Sequence, residues 1–272
     1  MRSDLSTQRP VPGGRNAEAA WWRWDAAVTL GVLLLLLAWD ASGADLRVAQ
    51  WFGSPAGFAW REHWLTAQLL HTGGRWLSFA VLVGVVAGVA RPFPFARAVP
   101  RRVRWWWLVT TVACLLLIPF IKSRSHISCP WDLAQFGGTA RTLSHFSWLA
   151  WMAPGDGGPG RCFPSGHASG AFSFIGGWFV LRGYSSRAAR GWLAAVCVTG
   201  LAFGIAQVAR GAHYPSHVAW TAWVCWALSA AAWHAARPLL NNAVVRAGAL
   251  RTADDGVVND GRVNPNIDTR EG

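Results

Sequence analysis

The chain has 272 residues, 53% of them apolar and only 14% charged, with 20 tryptophans and five cysteines. So apolar a chain excludes an ordinary soluble domain, and so few cysteines exclude a small disulfide-dense scaffold. The net charge of +12 would suit a nucleic-acid binder, but the arginines gather at the ends of apolar runs. That pattern excludes nucleic acid as the partner and points to a lipid bilayer.

Six apolar runs, near 26–42, 76–92, 105–121, 165–182, 191–209 and 218–236, approach the roughly 20 residues that cross a hydrocarbon core. The predicted fold class is all-α: an integral membrane bundle of six transmembrane helices, with short interfacial helices in the outer loops. Residues 1–20 read as a disordered cytoplasmic N-terminus, 21–237 as the membrane domain and 238–272 as a disordered cytoplasmic tail lacking helical periodicity. The first run starts too late and is too long for a cleavable signal peptide, and no small-residue cleavage site follows it. Sidedness comes from the arginines. The N-terminus, the 91–104 loop, the loop around Arg187 and the tail together carry 17 of the 25 basic residues. Both termini are therefore expected in the cytoplasm, and the histidine-rich segments on the outside.

Along the chain, Trp21, Trp22 and Trp24 read as the interfacial belt of the first span, and Trp105, Trp106 and Trp107 as that of the third. Segment 43–75 mixes apolar and charged residues at a spacing that predicts short surface helices. Both a lid over a site and a packed linker fit it, and His63 and His71 receive no role.

Chemistry-bearing residues cluster at three span ends. The third span runs out through Lys122, Arg124, His126, Cys129, Pro130 and Asp132. Lys122 is the only lysine among 25 basic residues, and a compact ammonium at a membrane face is a good phosphate ligand. A snorkelling interfacial lysine is the plainer reading. The fourth span opens at Gly160-Arg161-Cys162-Phe163-Pro164-Ser165-Gly166-His167. Proline in a first helical turn, free N–H groups at Ser165 and Gly166 and the helix dipole make an anion seat, with His167 beside it. A simply capped helix start reads equally well from these four residues alone. The fifth span ends in Arg210-Gly211-Ala212-His213, with Arg210 and His213 expected one helical turn apart on one face. The sixth begins at Tyr214-Pro215-Ser216-His217, with Ser216 as candidate cap.

The order and spacing of these three clusters resemble the type-2 phosphatidic acid phosphatase superfamily, whose motifs run K-x6-R-P, P-S-G-H and S-R-x5-H-x3-D. Lys122 with Cys129-Pro130 matches the first spacing, Pro164 to His167 match the second, and His213 with His217 matches the third. The chain looks like a divergent subgroup: Cys129, in a Cys-Pro-Trp run, replaces Arg, Ala206-Gln207 replace Ser-Arg, and His217 replaces Asp. The resemblance implies a phosphatase needing no metal or other cofactor, acting through a phosphohistidine on a phosphorylated membrane lipid. His213 would attack phosphorus and His167 serve as acid and then base. Lys122, Ser165, Gly166 and Arg210, with Arg124 or Arg161, would bind phosphate. His217 would orient His213, with Asp132 as a candidate for the lost carboxylate.

By the same analogy the substrate is phosphatidic acid, phosphatidylglycerol phosphate, an isoprenyl pyrophosphate or a lipid A phosphate, and the setting is a bacterial inner membrane with a periplasmic site. A lipid-to-lipid phosphotransferase, or a degenerate relative that only binds or moves phospholipid, uses the same residues. Cys129 and Cys162 flank the site where oxidation is permitted, and a disulfide between them is expected. A zinc site of His126, Cys129, His145 and Cys162 is the runner-up for these side chains. The oligomeric state stays open.

Overall fold

The computed structural model describes residues 15–152 and 155–260, so most of the expected disordered N-terminus and residues 261–272 lie outside the described residues. The chain divides into two compact units, one ending at Ala232 and the other starting at Trp233. In chain order the elements are α1 (Arg15–Ala41), α2 (Ala44–Phe52), a two-stranded hairpin of β1 (Gly53–Ser54) and β2 (Gly57–Phe58), and a π-helical stretch at Leu65–Gly73. There follow α3 (Gly74–Ala90), α4 (Arg101–Arg124), α5 (Gly166–Phe172), α6 (Gly176–Leu181), α7 (Ser186–Ala209) and α8 (Pro215–Asp260).

Among the described residues, four helical segments are long and apolar enough to cross a membrane: Ala20–Ala41, Leu65–Ala90, Arg101–Arg124 and Ser186–Ala209. Six such helices were expected. The 165–182 run is instead α5, a 3-10 turn at Ser173–Ile175 and α6 in succession. Gly166, Gly170, Gly176 and Gly177 weaken its helical propensity, and close neighbours use the space they leave. The 218–236 run falls inside α8, which carries on as backbone helix to Asp260, where sequence periodicity predicted an irregular tail.

Glycines let the helices approach. A β-carbon at Gly200 on α7 would run into the Phe172 ring of α5, and one at Gly204 into Val218 of α8. At the other end of α1, Asp25 is buried and takes both guanidinium nitrogens of Arg182, at 2.7 and 2.5 Å. That pair ties the first helix to the end of α6, and Trp21 and Phe179 each place a ring about the guanidinium. The arginine read as a sidedness signal is thus also a structural fastener.

The long connection between α4 and α5 is laced to itself by backbone bonds. Arg161 donates to Ser125 at 2.8 Å and Cys162 to Ile127 at 2.9 Å. The Asp156 carboxylate accepts from the Ser128 backbone N–H at 2.6 Å and from its hydroxyl at 2.8 Å. These bonds satisfy polar groups of a segment whose regular structure, among the described residues, is limited to short 3-10 helices at Pro130–Asp132, Ala134–Phe136 and Trp148–Trp151 and one bridge between Leu133 and Ala140. They bring the two ends of the loop side by side.

Candidate active site

Three chain segments distant in sequence are stitched together at one end of the bundle. Cys129 and Cys162 form a disulfide with a Cα–Cα distance of 5.1 Å, joining the segment after Lys122 to the one before His167. Trp131 donates its backbone N–H to the Gly211 carbonyl at 3.0 Å, joining the first segment to the third. Ser165 donates to the His217 carbonyl at 3.1 Å, and the Thr221 hydroxyl donates to the Ser165 carbonyl at 3.0 Å, joining the second to the third. Each link fixes backbone, so the side chains they carry start from fixed roots.

Lys122, in the last turn of α4, lies over the start of α5: a β-carbon at Gly166 would sit 3.7 Å from its Nζ. Glycine at that position leaves the first N–H groups of α5 open to a ligand held by the ammonium. Ser165 caps α5, its hydroxyl accepting from Ala168 N–H. His167 directs Nε2 at the Leu70 carbonyl, 2.9 Å away, with the Phe203 ring 4.9 Å off.

His213 is buried. The Nδ1 edge of its ring faces Cys162, 3.6 Å from the sulfur, which leaves Nε2 for the pocket. Burial, then the charges of Lys122, His217 and His167, hold its pKa well below the ordinary histidine value, against a hydrogen bond to the Cys162 backbone. A neutral imidazole facing a lysine is the form a nucleophile needs. Among the described residues, the charges acting on it are Lys122, His217 and His167, with no carboxylate.

Arg210 does not share a helical turn with His213. Helix α7 stops at Ala209, and Gly211, at a φ of 72°, turns the chain in a conformation that favours glycine. The Arg210 guanidinium donates through Nε to the Arg61 carbonyl at 2.8 Å and still ranks among the charges felt by His167. Ser216 does not cap its own helix; its backbone N–H and hydroxyl both donate to the Asp45 carboxylate of α2.

The other predicted ligands are placed differently. Arg124 and Arg161 are exposed, and Arg124 lies over the Phe120 ring. Asp132 accepts the Cys129 backbone N–H at 3.2 Å, closing a short turn, and sits beside Arg61 and Asp156. Burial pushes its carboxyl above the usual range, opposed by that N–H and by Arg61. It is a turn cap rather than the partner of His213. The zinc reading fails on chemistry: Cys129, Cys162 and His213 do lie close enough to ligate one ion, but sulfurs bonded to each other offer no thiolate.

Two residues that sequence reasoning left without a role belong to the site. The His71 ring lies 4.7 Å from that of His167, and Arg75 is among the charges acting on both. His71 lies in the last turn of the π-helical stretch, a feature that recurs at functional positions. The available signal was Arg75, an arginine on the side that the charge bias keeps poor in arginine.

Beside His167 opens an apolar cavity of about 180 Å³, lined by Leu77, Val81, Ala171, Phe174 and Phe203 among others. Phe203 borders both the cavity and the imidazole. The arrangement offers an anion seat with two imidazoles and a greasy recess next to it.

The family model described as the PAP2 superfamily matches residues 104–239, the stretch that holds all three stitched segments. No curated protein and no solved structure matches the chain.

Proposed function

The chain belongs to the PAP2 superfamily, and from that premise we propose that it is a membrane lipid phosphatase. It cleaves a phosphate monoester or pyrophosphate from a lipid head group through a phosphohistidine at His213. The family is one of phosphatases and phosphotransferases, and the apolar helices suit a membrane protein. The observation that carries the reading is the convergence of Lys122, His167 and buried His213 around the first turn of α5.

The chemistry follows from the placement. Nε2 of neutral His213 attacks phosphorus in line while protonated His167 delivers a proton to the leaving oxygen. Lys122, the Gly166 N–H, and Arg210 with Arg75 stabilise the equatorial oxygens where charge accumulates, whereas the Ser165 N–H, expected to be free, is taken by the His217 carbonyl. His167, now neutral, takes a proton from water, which attacks the phosphohistidine and releases phosphate. The recess at Phe203 suits an alkyl or isoprenyl chain. In the reading proposed, six helical passes leave both termini in the cytoplasm and open the site to the periplasm of a bacterial inner membrane.

The test is phosphate release by the purified protein in detergent from phosphatidic acid, phosphatidylglycerol phosphate and an isoprenyl pyrophosphate, with chelator present. The expected result is turnover of at least one of them, abolished by His213→Ala and by His167→Ala. Full turnover in either variant removes that residue from its role. Binding of these lipids without turnover overturns the enzyme reading in favour of a lipid-binding protein, and phosphate appearing on an added acceptor lipid favours a phosphotransferase.

A further inference from the structure

In an in-line displacement the leaving oxygen departs on the side away from His213, toward His167. A hydrocarbon chain on that oxygen must start beside His167. The Phe203 ring, 4.9 Å from the imidazole, stands at the mouth of the apolar recess there. On α7 the recess is lined by Trp192, Ala195, Val196, Thr199 and Phe203, whose spacing puts them on one stripe of the helix. Aromatic rings stand at its two ends and smaller side chains between them. Ser78 of α3 and Gly170 and Ala171 of α5 complete the middle, where a β-carbon at Gly170 would lie 2.5 Å from the Ser78 hydroxyl. Ala195 is exposed, so the recess is a groove open along one side.

Trp192 closes the far end. Its indole N–H donates at 2.8 Å to the carbonyl of Phe174, in the 3-10 turn between α5 and α6. The Trp107 ring meets it edge-on at 4.9 Å, and a β-carbon at Gly177 would collide with both rings. The indole is therefore held in place. Beyond it lies a second cavity of about 480 Å³, lined by Phe95, Ser185, Arg187, Ala188 and Gly191, and Trp192 and Ala195 border both spaces. One groove along α7 is thus partitioned by one side chain. From Phe203 to Trp192 the helix rises about 16 Å, and an extended alkyl chain advances about 1.25 Å per carbon, so the near compartment takes about 13 carbons.

We propose that this groove seats a single linear hydrocarbon chain of the substrate's leaving group and that Trp192 is its end wall, a residue that sets chain-length specificity. The phosphate sits at the cationic end, where Lys122 overhangs Gly166, and the chain runs away from it down the α7 stripe. The inference rests on the phosphatase reading for the direction of the chain and on the continuity of the groove with His167 for its place.

The experiment uses the purified full chain and an alkyl phosphonate, which cannot be hydrolysed, of about 12 carbons with a diazirine at its tail end. After irradiation, mass spectrometry should find the adduct at Trp192–Val196 or Phe174, and the same chain with an alcohol head should leave none there. Thr199→Trp puts a ring across the groove about 6 Å from Phe203, so it should remove that adduct. In parallel, kcat/KM for alkyl phosphates of increasing length should rise by up to about fourfold per methylene and level off near 13 carbons in the wild type. The break should move to about 5 carbons in Thr199→Trp and to about 18 in Trp192→Ala, where the stripe runs on to Ala188. If Thr199→Trp folds poorly, Ala195→Trp replaces it, with a break near about 10 carbons. An adduct that survives the blocking tryptophan, equal labelling by the alcohol probe, or one break shared by all the variants overturns the proposal. A wild type that turns over no alkyl or lipid phosphate refutes the function proposed above, while the phosphonate adduct still decides the groove.

Discussion

Breaking the Cys129–Cys162 bond should both loosen the protein and slow it. The bond spans 33 residues of sequence, and closing a loop of that length removes about 4 kcal/mol of chain entropy from the unfolded state. The folded loop keeps its own backbone bonds from Arg161 to Ser125 and from Cys162 to Ile127, so its ends stay near each other and the loss acts mainly through the unfolded chain. Catalysis should suffer separately, because Cys162 is the backbone group to which the ring of His213 is hydrogen-bonded. Counting reactive thiols in denaturant gives three for the oxidised protein, Cys114, Cys197 and Cys225, and five after reduction. A melt in detergent with and without dithiothreitol, beside Cys129→Ala/Cys162→Ala, then reads the stability. The reduced wild type and the double variant should melt at the same lowered temperature and release phosphate more slowly. Five thiols together with an unchanged melt and an unchanged rate would refute the reasoning.

Gly74→Ala should cost about 1–3 kcal/mol by overpacking, since the new β-carbon would lie 2.7 Å from the Phe203 ring and 3.2 Å from His167 Nε2. Activity should fall with it, and an unshifted melt with full turnover would show that the helices yield there freely. The pH profile gives a further check. Burial lowers the pKa of His213, so its neutral, nucleophilic form persists as pH falls through the ordinary histidine range. The acid limb of kcat/KM assigned to His213 should therefore lie below about pH 6.5, and a profile whose only acid limb lies above that value would contradict a buried nucleophile.

The helices and their chemistry were legible in the chain because both are local. Hydropathy over a span needs no knowledge of neighbours, and Lys122, Pro164 to His167, and His213 announce themselves by type and spacing. The break of the 165–182 run into α5 and α6 was not legible, since it depends on rings from α4 and α7 that fill the space its glycines leave. Asp25 and Arg182 look like interfacial charges until folding makes them a buried pair 157 residues apart. Asp132 looked like the missing carboxylate because it is near in sequence, but its own turn consumes it.

Composition and motif order by themselves determined a protein of this family with apolar helices, and named the imidazoles and the lysine proposed as its phosphate site, because those features depend only on residue type and separation along the chain. Which charges reach that site was decided only by tertiary structure. His71 and Arg75 arrive on the π-helical stretch and on α3, far from the motifs, because side chains remote in sequence meet only where the helices that carry them pack together.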